Sequence, residues 1–156
     1  MSDITNKPVQ IYCDGSCNWR NKRGGFGIYF KFDDQTKSIW KGSYYPTTIS
    51  RMELWAMITA LQTLNIKYKT DIYSDSEYVT NCINKNWLLQ WEEIHFVGKK
   101  NEDLLRLYLK EYRRFPLGNI NIIHVKGHTG IIGNEIADNL AKKGYNNVEL
   151  QLKDTL

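Results

Sequence analysis

Cysteine and proline are both scarce in this chain of 156 residues, which contains only three of each. The cysteines, Cys13, Cys17 and Cys82, are odd in number and form no Cys-x-x-Cys pair, which disfavours a disulfide framework and a structural zinc site. We therefore expect a reducing compartment, the cytoplasm, with a nuclear or virus-associated location still open. The few prolines and the lack of any biased run argue against a disordered or fibrous chain.

Long apolar runs are also missing. No stretch approaches the ~20 apolar residues of a membrane span, and residues 1–8 contain no apolar segment typical of a secretory signal. We therefore expect no membrane association. The chain carries 21 Lys and Arg against 17 Asp and Glu, a net charge of +4, which permits nucleic-acid binding without demonstrating it. The length favours a single domain.

The first third of the chain has the pattern of β-strands. Residues 9–13, 28–32 and 38–45 are rich in β-forming side chains, and residues 33–36 resemble a hairpin turn between the second and third segments. An antiparallel meander is therefore predicted at the start of the fold.

After residue 50, the spacing of the apolar residues changes to that of a helix. Apolar residues recur at helical spacing over residues 51–64, with Ser50 as the expected N-cap and Glu53 as its capping-box partner. A strand, two helices, a strand and a helix are predicted next, at residues 71–75, 76–84, 103–114, 119–125 and 133–143. Residues 86–100 are predicted to be irregular, and Gly144 is expected to close the last helix.

This order of elements predicts an α/β fold. Its five-stranded mixed sheet has three antiparallel strands followed by two parallel strands, and helices flank the sheet. We expect a short lead at residues 1–8, a catalytic domain at residues 9–145 and a flexible tail at residues 146–156.

Four acidic residues stand where catalytic groups belong on such a fold. They are Asp14 at the end of the first strand, Glu53 in the first helix, Asp75 at the end of the fourth strand and Asp138 on the last helix. Taken singly, each is better explained by a turn, a cap or a solvated helix face. Together at one sheet edge, like charges would resist joint ionisation, and divalent cations would relieve that conflict. Carboxylate oxygens select Mg²⁺ or Mn²⁺, and two such ions suit phosphoryl transfer.

Six motifs follow one another along the chain. They read YCDGS at residues 12–16, GGFG at 24–27, RMEL at 51–54, YSDSEYV at 73–79, VKGHTG at 125–130 and GNEIAD at 133–138. In this order they resemble ribonuclease H of type 1, over roughly residues 9–144. The resemblance implies the ribonuclease H-like fold and an endonuclease that hydrolyses the RNA strand of RNA/DNA hybrids, leaving 5′-phosphate and 3′-hydroxyl ends. The implied partner is the hybrid duplex, and nothing in the sequence requires more than a monomer.

The same resemblance assigns roles to the acidic residues. It implies that two Mg²⁺ ions, with Mn²⁺ as a substitute, are held by Asp14, Glu53, Asp75 and Asp138. His128 matches the family's mobile-loop histidine, which is a candidate proton shuttle or an aid to product release, and glycines flank that loop.

Substrate contacts are implied in the same way. The matching positions are Gly15, Ser16, Cys17, Thr48, Ser76, Asn101 and Asn134. Of these, the first three match positions that face the RNA strand, where the 2′-hydroxyl is read. Thr48 and Asn101 match positions that grip a phosphate of the DNA strand. Trp87 and Trp91 fall near aromatic DNA contacts, although core packing explains them equally well.

The segment after the second helix departs from many relatives, which carry a basic, tryptophan-containing handle there. In this chain, residues 91–100 look shorter and begin with two acidic side chains after a tryptophan. Because hybrid affinity depends on phosphate neutralisation, we expect weaker binding and low processivity, partly offset by Arg20, Lys22 and Arg23.

Three other interpretations stay open from the sequence. The chain could be a catalytically weak or silent hybrid-binding domain, although all four acids are present. It could be a related metal-dependent nuclease or strand transferase, although the DGS and VKGH motifs favour the hybrid nuclease. It could also be the ribonuclease H domain of a reverse transcriptase, although Met1 favours a free-standing protein.

Overall fold

A computed structural model describes residues 7–156 of the chain. The elements of this part are β1 (Val9–Asn18), β2 (Arg23–Lys31), β3 (Thr36–Tyr44), α1 (Ile49–Thr63), β4 (Thr70–Ser74), α2 (Glu77–Asn84), α3 (Trp87–Glu93), α4 (Glu102–Tyr112), β5 (Ile120–His124) and α5 (Ile132–Asn146). Residues 1–6, which make up most of the predicted N-terminal lead at residues 1–8, lie outside the described residues. Between Lys7 and Leu156, no helix combines the length and the apolar character that crossing a bilayer requires.

The five strands form one mixed sheet in the order β3-β2-β1-β4-β5. Strands β3, β2 and β1 are antiparallel, whereas β1, β4 and β5 run parallel. This arrangement confirms the predicted α/β fold. Helix α1 packs on β1 and β2, and α5 packs on all three antiparallel strands. The core lies against α1, whose side chains Leu54, Met57 and Ile58 are fully buried.

Strand β1 continues through the DGS motif, whereas the sequence analysis predicted a strand at residues 9–13 with Asp14 at its end. Asp14 pairs with Gly27, and Gly15 pairs with Phe26, so Asp14 lies inside β1 rather than at its end. Gly15 brings this part of β1 close to α1, because a Cβ there would lie 2.6 Å from the backbone nitrogen of Glu53. The parallel pairing with β4 nevertheless ends at Cys13 and Ser74, directly before the two aspartates.

Helix α1 begins two residues earlier than predicted. Its N-cap is Thr48, whose hydroxyl accepts a hydrogen bond from the backbone N–H of Arg51 at 3.2 Å. The expected cap, Ser50, is inside the helix, and the capping-box role predicted for Glu53 is therefore wrong. Thr48 and Ser50 are both residue types that cap helices, but only Thr48 has the extended backbone of an N-cap.

Two further helices differ from the sequence-based prediction. Residues 87–93, predicted to be irregular, form the short helix α3, on which Trp87 and Trp91 stack at a ring distance of 5.6 Å. Helix α5 continues to Asn146, so Gly144 lies inside it and does not close it. A Cβ at Gly144 would overlap the carbonyl oxygen of Lys41. This glycine therefore permits a close approach between helix and sheet.

The C-terminal segment, residues 147–156, lies against β3 and α1, in contrast to the expected flexible tail. The backbone N–H of Leu152 donates to the carbonyl of Ser43 at 2.8 Å, and the N–H of Tyr45 donates to the carbonyl of Leu152 at 3.0 Å. The side chain of Asp154 contacts Arg51 from this segment. The expectation of a flexible tail rested on its terminal position, and the partners that hold it lie about a hundred residues earlier in the sequence.

Candidate active site

Three carboxylates converge at the carboxyl ends of the central parallel strands. One oxygen from each of Asp14, Glu53 and Asp75 lies within 4.8 Å of the other two. Asp14 is on β1, Asp75 directly follows the neighbouring strand β4, and Glu53 is in the second turn of α1. The helix reaches the strand because Gly15 has no side chain to hold the two backbones apart. The topology therefore creates a cluster of three acids from distant parts of the sequence.

The electrostatics of this cluster are unfavourable without a cation. Burial, together with the charges of Asp75 and Asp138, raises the pKa of Asp14 to about 9. Burial and the charge of Asp75 raise the pKa of Glu53 to about 7, although a hydrogen bond from Ser76 opposes that rise. Hard oxygen donors that repel one another in this way fit a divalent cation, which would neutralise them. The three acids could hold such an ion.

Asp138 lies beside this cluster on α5. Its carboxyl group is within hydrogen-bonding contact of Asp14, and such a bond between two carboxyl groups requires one proton, in agreement with the raised pKa of Asp14. Its other contact is an ion pair with the ammonium of Lys142 at 2.9 Å, one helical turn away. Asp138 therefore joins the cluster through Asp14, while the three remaining acids approach one another directly.

His128 lies in the loop between β5 and α5. Its side chain is exposed, and its backbone is in the left-handed region with a φ of 57°. The preceding residue, Gly127, approaches the acids closely, because a Cβ there would lie 2.9 Å from the Oδ2 atom of Asp75. His128 itself is not one of the three convergent groups, but it directly follows the glycine that approaches Asp75.

The predicted RNA-facing positions follow Asp14 along β1. The backbone N–H of Gly15 donates to the Oδ1 atom of Asp14 at 2.9 Å, and Ser16 comes next on the strand. The thiol of Cys17 is within 3.7 Å of the carbonyl of Thr47, so it faces the segment before α1.

The remaining predicted contacts surround the start of α1. Thr48 caps that helix, and the Oδ1 atom of Asn101 accepts a bond of 3.5 Å from Arg51. Ser76 caps α2 and bonds Glu53. Asn134 is 4% exposed, and its Oδ1 atom has no hydrogen-bond partner among the described residues.

Comparison with known proteins agrees with this architecture. The RNase H family model matches residues 6–146, most of the chain. The chain belongs to the ribonuclease H family of enzymes. A protein named Ribonuclease HI from Pasteurella multocida (strain Pm70) is 39% identical over 150 residues, which cover 93% of this chain and 94% of that protein. Ribonuclease H from Orientia tsutsugamushi (strain Boryong) is 40% identical over 147 residues, 90% of this chain and 84% of that protein.

A solved structure shares the fold. The crystal structure of LC9-RNase H1, described as a type 1 RNase H with the type 2 active-site motif, superposes with a TM-score of 0.75. It covers 92% of this chain and 74% of that chain at 23% identity, which supports the fold alone. Together with the relatives, it confirms the resemblance to type 1 ribonucleases H.

Sequence reasoning missed an ionic network beside the acids of this ribonuclease H family member. Arg51 donates from Nε to the Oδ2 atom of Asp154 at 2.7 Å and from NH2 to the Oδ2 atom of Asp103 at 2.8 Å. The hydrogen bond from Arg51 holds the pKa of Asp103 below its usual range. Arg51 stood out only as part of the RMEL motif, and Asp154 lies about a hundred residues away in the sequence, so no local signal could have found the pair.

Trp87 and Trp91, the two tryptophans at and just before residues 91–100, are partly buried. Trp87 and Trp91 stack on each other, and the ammonium of Lys99 lies 4.7 Å from the ring centre of Trp91. They line a groove of about 340 Å³ that also includes Ser50 and Asn101. The acidic Glu92 that follows is paired with Arg113 at 2.7 Å, so part of its charge is neutralised within the protein.

Proposed function

We propose that this protein is an endonuclease that hydrolyses the RNA strand of RNA/DNA hybrids. The observation that carries the proposal is the convergence of Asp14, Glu53 and Asp75 within 4.8 Å in a member of the ribonuclease H family. Relatives that are about 40% identical over nearly their whole length carry the name ribonuclease H. The domain that performs the reaction is proposed to span residues 9–145, which the family match of residues 6–146 supports.

The proposed cofactor is a pair of Mg²⁺ ions, with Mn²⁺ as a substitute. Asp14, Glu53 and Asp75 would hold them, with Asp138 at the edge of the site. When bound, the ions supply charge neutralisation and Lewis-acid activation for attack on a phosphodiester, which yields 5′-phosphate and 3′-hydroxyl ends. The raised pKa values of Asp14 and Glu53 support this assignment, because a cation would let both groups ionise.

The protein's own groups orient these ligands. The backbone N–H of Gly15 fixes the Oδ1 atom of Asp14, and the hydroxyl of Ser76 fixes the carboxylate of Glu53. Lys142 holds Asp138 from the next turn of α5. Ligands restrained in this way lose little freedom when a cation binds, which preorganises the site.

His128 is the proposed proton carrier. Its imidazole is exposed, and the residue follows Gly127, which approaches Asp75. An imidazole nitrogen in this position would pass a proton between the substrate and bulk water at neutral pH.

The proposed partner is the hybrid duplex. The RNA strand would be contacted by Gly15, Ser16 and Cys17. Asn134 would lie beside the acid cluster. Thr48 and Asn101 would bind a phosphate of the DNA strand. The last pair is supported by their joint position at the start of α1, where Arg51 bonds Asn101. We propose a monomeric, cytoplasmic protein, and the three free cysteines support the cytoplasmic location.

An end-labelled RNA/DNA hybrid tests the proposal, with RNA/RNA and DNA/DNA duplexes as controls. Each is incubated with Mg²⁺, Mn²⁺ or EDTA. Internal cuts are expected only in the RNA of the hybrid, only with a divalent cation, and not with Asp14→Asn. The matched control is Asp34→Asn, which changes an exposed acid in the hairpin turn and should cut like the wild type. Hybrid binding without cleavage by the wild type would instead identify a silent binding domain.

A further inference from the structure

Arg51, near the start of α1, is held by acidic side chains from two distant parts of the chain. Its Nε and NH2 atoms donate to Asp154 at 2.7 and 3.2 Å, and its NH1 and NH2 atoms donate to Asp103 at 2.9 and 2.8 Å. The remaining N–H, on NH1, faces the Oδ1 atom of Asn101 at 3.5 Å. Every N–H of the guanidinium therefore has a partner, and two bidentate carboxylates fix its plane.

Asn101 contacts Arg51 instead of capping its own helix. It is the N-cap residue of α4, and an asparagine at an N-cap usually accepts a bond from a backbone N–H of the first turn. Within the described residues its side chain makes no such bond, and its backbone is left-handed with a φ of 65°. Its Nδ2 atom instead lies 3.5 Å from the hydroxyl oxygen of Tyr78. The helix thus lacks a stabilising cap, and the amide faces Arg51 and Tyr78.

Arg51 determines which end of the Asn101 amide faces the groove of about 340 Å³ beside α3. A guanidinium only donates hydrogen bonds, so the acceptor Oδ1 must face it, and a reversed amide would bring two donors together. The Nδ2 atom then lies on the side of Tyr78, in a groove that Lys99 and Lys100 also line. Because Tyr78 uses one N–H of the amide, the second N–H can donate to an anion in this basic groove.

Asp154 is the contribution of the C-terminal segment to this set of contacts. Its side chain is 2% exposed, whereas that of Asp103 is 40% exposed. A buried carboxylate is the firmer support of the two, because solvent screens an exposed ion pair much more strongly. Without Asp154, the guanidinium of Arg51 would be held along one edge only and could move outward together with Asp103. The orientation of Asn101 therefore depends on the segment at residues 147–156.

We infer that Asp154 is a positioning residue for hybrid binding, because through Arg51 it orients the amide of Asn101 toward a phosphate of the DNA strand. This inference rests on the proposed function, in which Asn101 contacts that phosphate, and it adds the C-terminal segment to the parts of the protein that determine affinity. Docking of the segment and binding of the hybrid are thereby coupled, since both favour the same orientation of Arg51 and Asn101.

The first test measures the Kd of an RNA/DNA hybrid in the Asp14→Asn background, which prevents cleavage. Asp154→Asn should raise Kd about tenfold, as expected for the loss of one hydrogen bond to a charged group. The oxygen that the new amide keeps for Trp55 leaves its NH2 group facing Nε of Arg51, donor against donor. Asn101→Ala should raise Kd by a similar factor. The two changes combined should raise Kd no further, because they remove the same contact.

The matched control is Trp55→Phe. It removes the bond of 2.6 Å from Nε1 of Trp55 to Asp154 and so weakens the docking of the same segment, but it keeps the carboxylate beside Arg51. Its Kd should equal that of the Asp14→Asn background alone. Cleavage kinetics give a second readout, in which Asp154→Asn should raise KM and leave kcat within about twofold, as the loss of a contact remote from the reacting atoms requires.

The second test replaces single phosphates of the DNA strand with uncharged methylphosphonates. At one position, the replacement should weaken binding by the Asp14→Asn protein about tenfold, because it removes the charge that Asn101 contacts. The same replacement should have little effect once Asn101→Ala or Asp154→Asn is also present. A scan in which all three proteins respond alike at every position would contradict the inference.

If the wild type binds and cleaves hybrid and Asp154→Asn leaves both Kd and KM unchanged, the inference is overturned and the proposed function stands. Multiplying effects of Asp154→Asn and Asn101→Ala on Kd would also overturn the inference, and so would a Kd for Trp55→Phe as high as that for Asp154→Asn. Either result would indicate a general loosening of the fold rather than an action through Asn101. If the wild type neither binds nor cleaves hybrid, the proposed function and the inference are both overturned.

Discussion

Replacement of Asp154 by alanine should destabilise the protein although this residue is the third from the end of the sequence. Its side chain is 2% exposed. The carboxylate accepts bonds from Nε1 of Trp55 at 2.6 Å, from the hydroxyl of Thr47 at 2.6 Å and from Nε of Arg51 at 2.7 Å. Asp154→Ala removes one acceptor group from three donors at once.

The magnitude follows from what each donor retains. A buried donor left without an acceptor costs about 1–3 kcal/mol, and this applies to Nε1 of Trp55, whereas the hydroxyl of Thr47 keeps a longer bond of 3.5 Å to the carbonyl of Thr48. Arg51 keeps two short bonds to Asp103, so its loss is smaller. Water can reach the donors once the tail loosens, which limits the total to about 3 kcal/mol. For a chain of this length, that corresponds to a fall in Tm of about 6–12 °C.

Urea and thermal unfolding of Asp154→Ala and Asp154→Asn measure this effect. The asparagine variant should lose about half as much, because its amide oxygen can still accept from Trp55. Glu149→Ala, an exposed change in the same segment, is the control and should stay within about 0.5 kcal/mol of wild type. A free energy of unfolding for Asp154→Ala equal to that of this control would refute the reasoning, because the tail would then contribute nothing to the folded state.

The other predictions concern the acids, the loop histidine and the helix–sheet contact. Because the pKa values of Asp14 and Glu53 are raised in the fold to about 9 and about 7, the metal-free protein binds protons more tightly than the unfolded chain does. The free energy of unfolding of the wild type in EDTA should therefore fall as the pH rises from about 5 towards 9. This fall should be smaller in the presence of Mg²⁺ and in the Asp14→Asn variant. If thermal unfolding shows the same dependence on pH in all three cases, the raised pKa values are wrongly assigned to these acids. His128→Ala should lower kcat by about a hundredfold while Mg²⁺ affinity, measured by calorimetry, stays nearly unchanged, and an unchanged kcat would exclude the proton-carrier role. Gly144→Ala should destabilise by about 1–3 kcal/mol in urea despite the better helix propensity of alanine, because the new methyl group would overlap the carbonyl of Lys41; a stabilised variant would disprove the close approach.

The sheet could be predicted from the sequence because its signals are local. Segments rich in β-forming side chains marked the first three strands, and the change to helical spacing marked α1; β2 nevertheless starts at Arg23, five residues before the predicted segment at 28–32. The acids Asp14 and Asp75 could be placed together because parallel strands end at the same sheet edge. That Glu53 joins these two acids was expected from the order of the motifs along the chain, which resembles the ribonuclease H family. The three-acid cluster shows that this expectation has a geometric basis.

The details that the sequence could not predict depend on distant partners or on competing local patterns. Thr48 and Ser50 both satisfy a cap pattern, and backbone geometry alone decides between them. Helix α3 is only seven residues long, so it has too few turns to show a periodicity, and its N-cap residue Asn86 has a left-handed backbone. The position of Gly144 inside α5 reflects the backbone of β3, which lies about a hundred residues earlier.

The C-terminal segment also changes how the sheet meets other molecules. Strand β3 is at one edge of the sheet, where unpaired N–H and C=O groups can recruit strands from another chain. Leu152 pairs with Tyr44 in a parallel bridge, and the N–H groups of Ser43 and Tyr45 are used by the same segment. The last residues thus shield one end of this edge from self-association, so a chain shortened after Asn146 would expose an aggregation-prone border while keeping all four acids of the site.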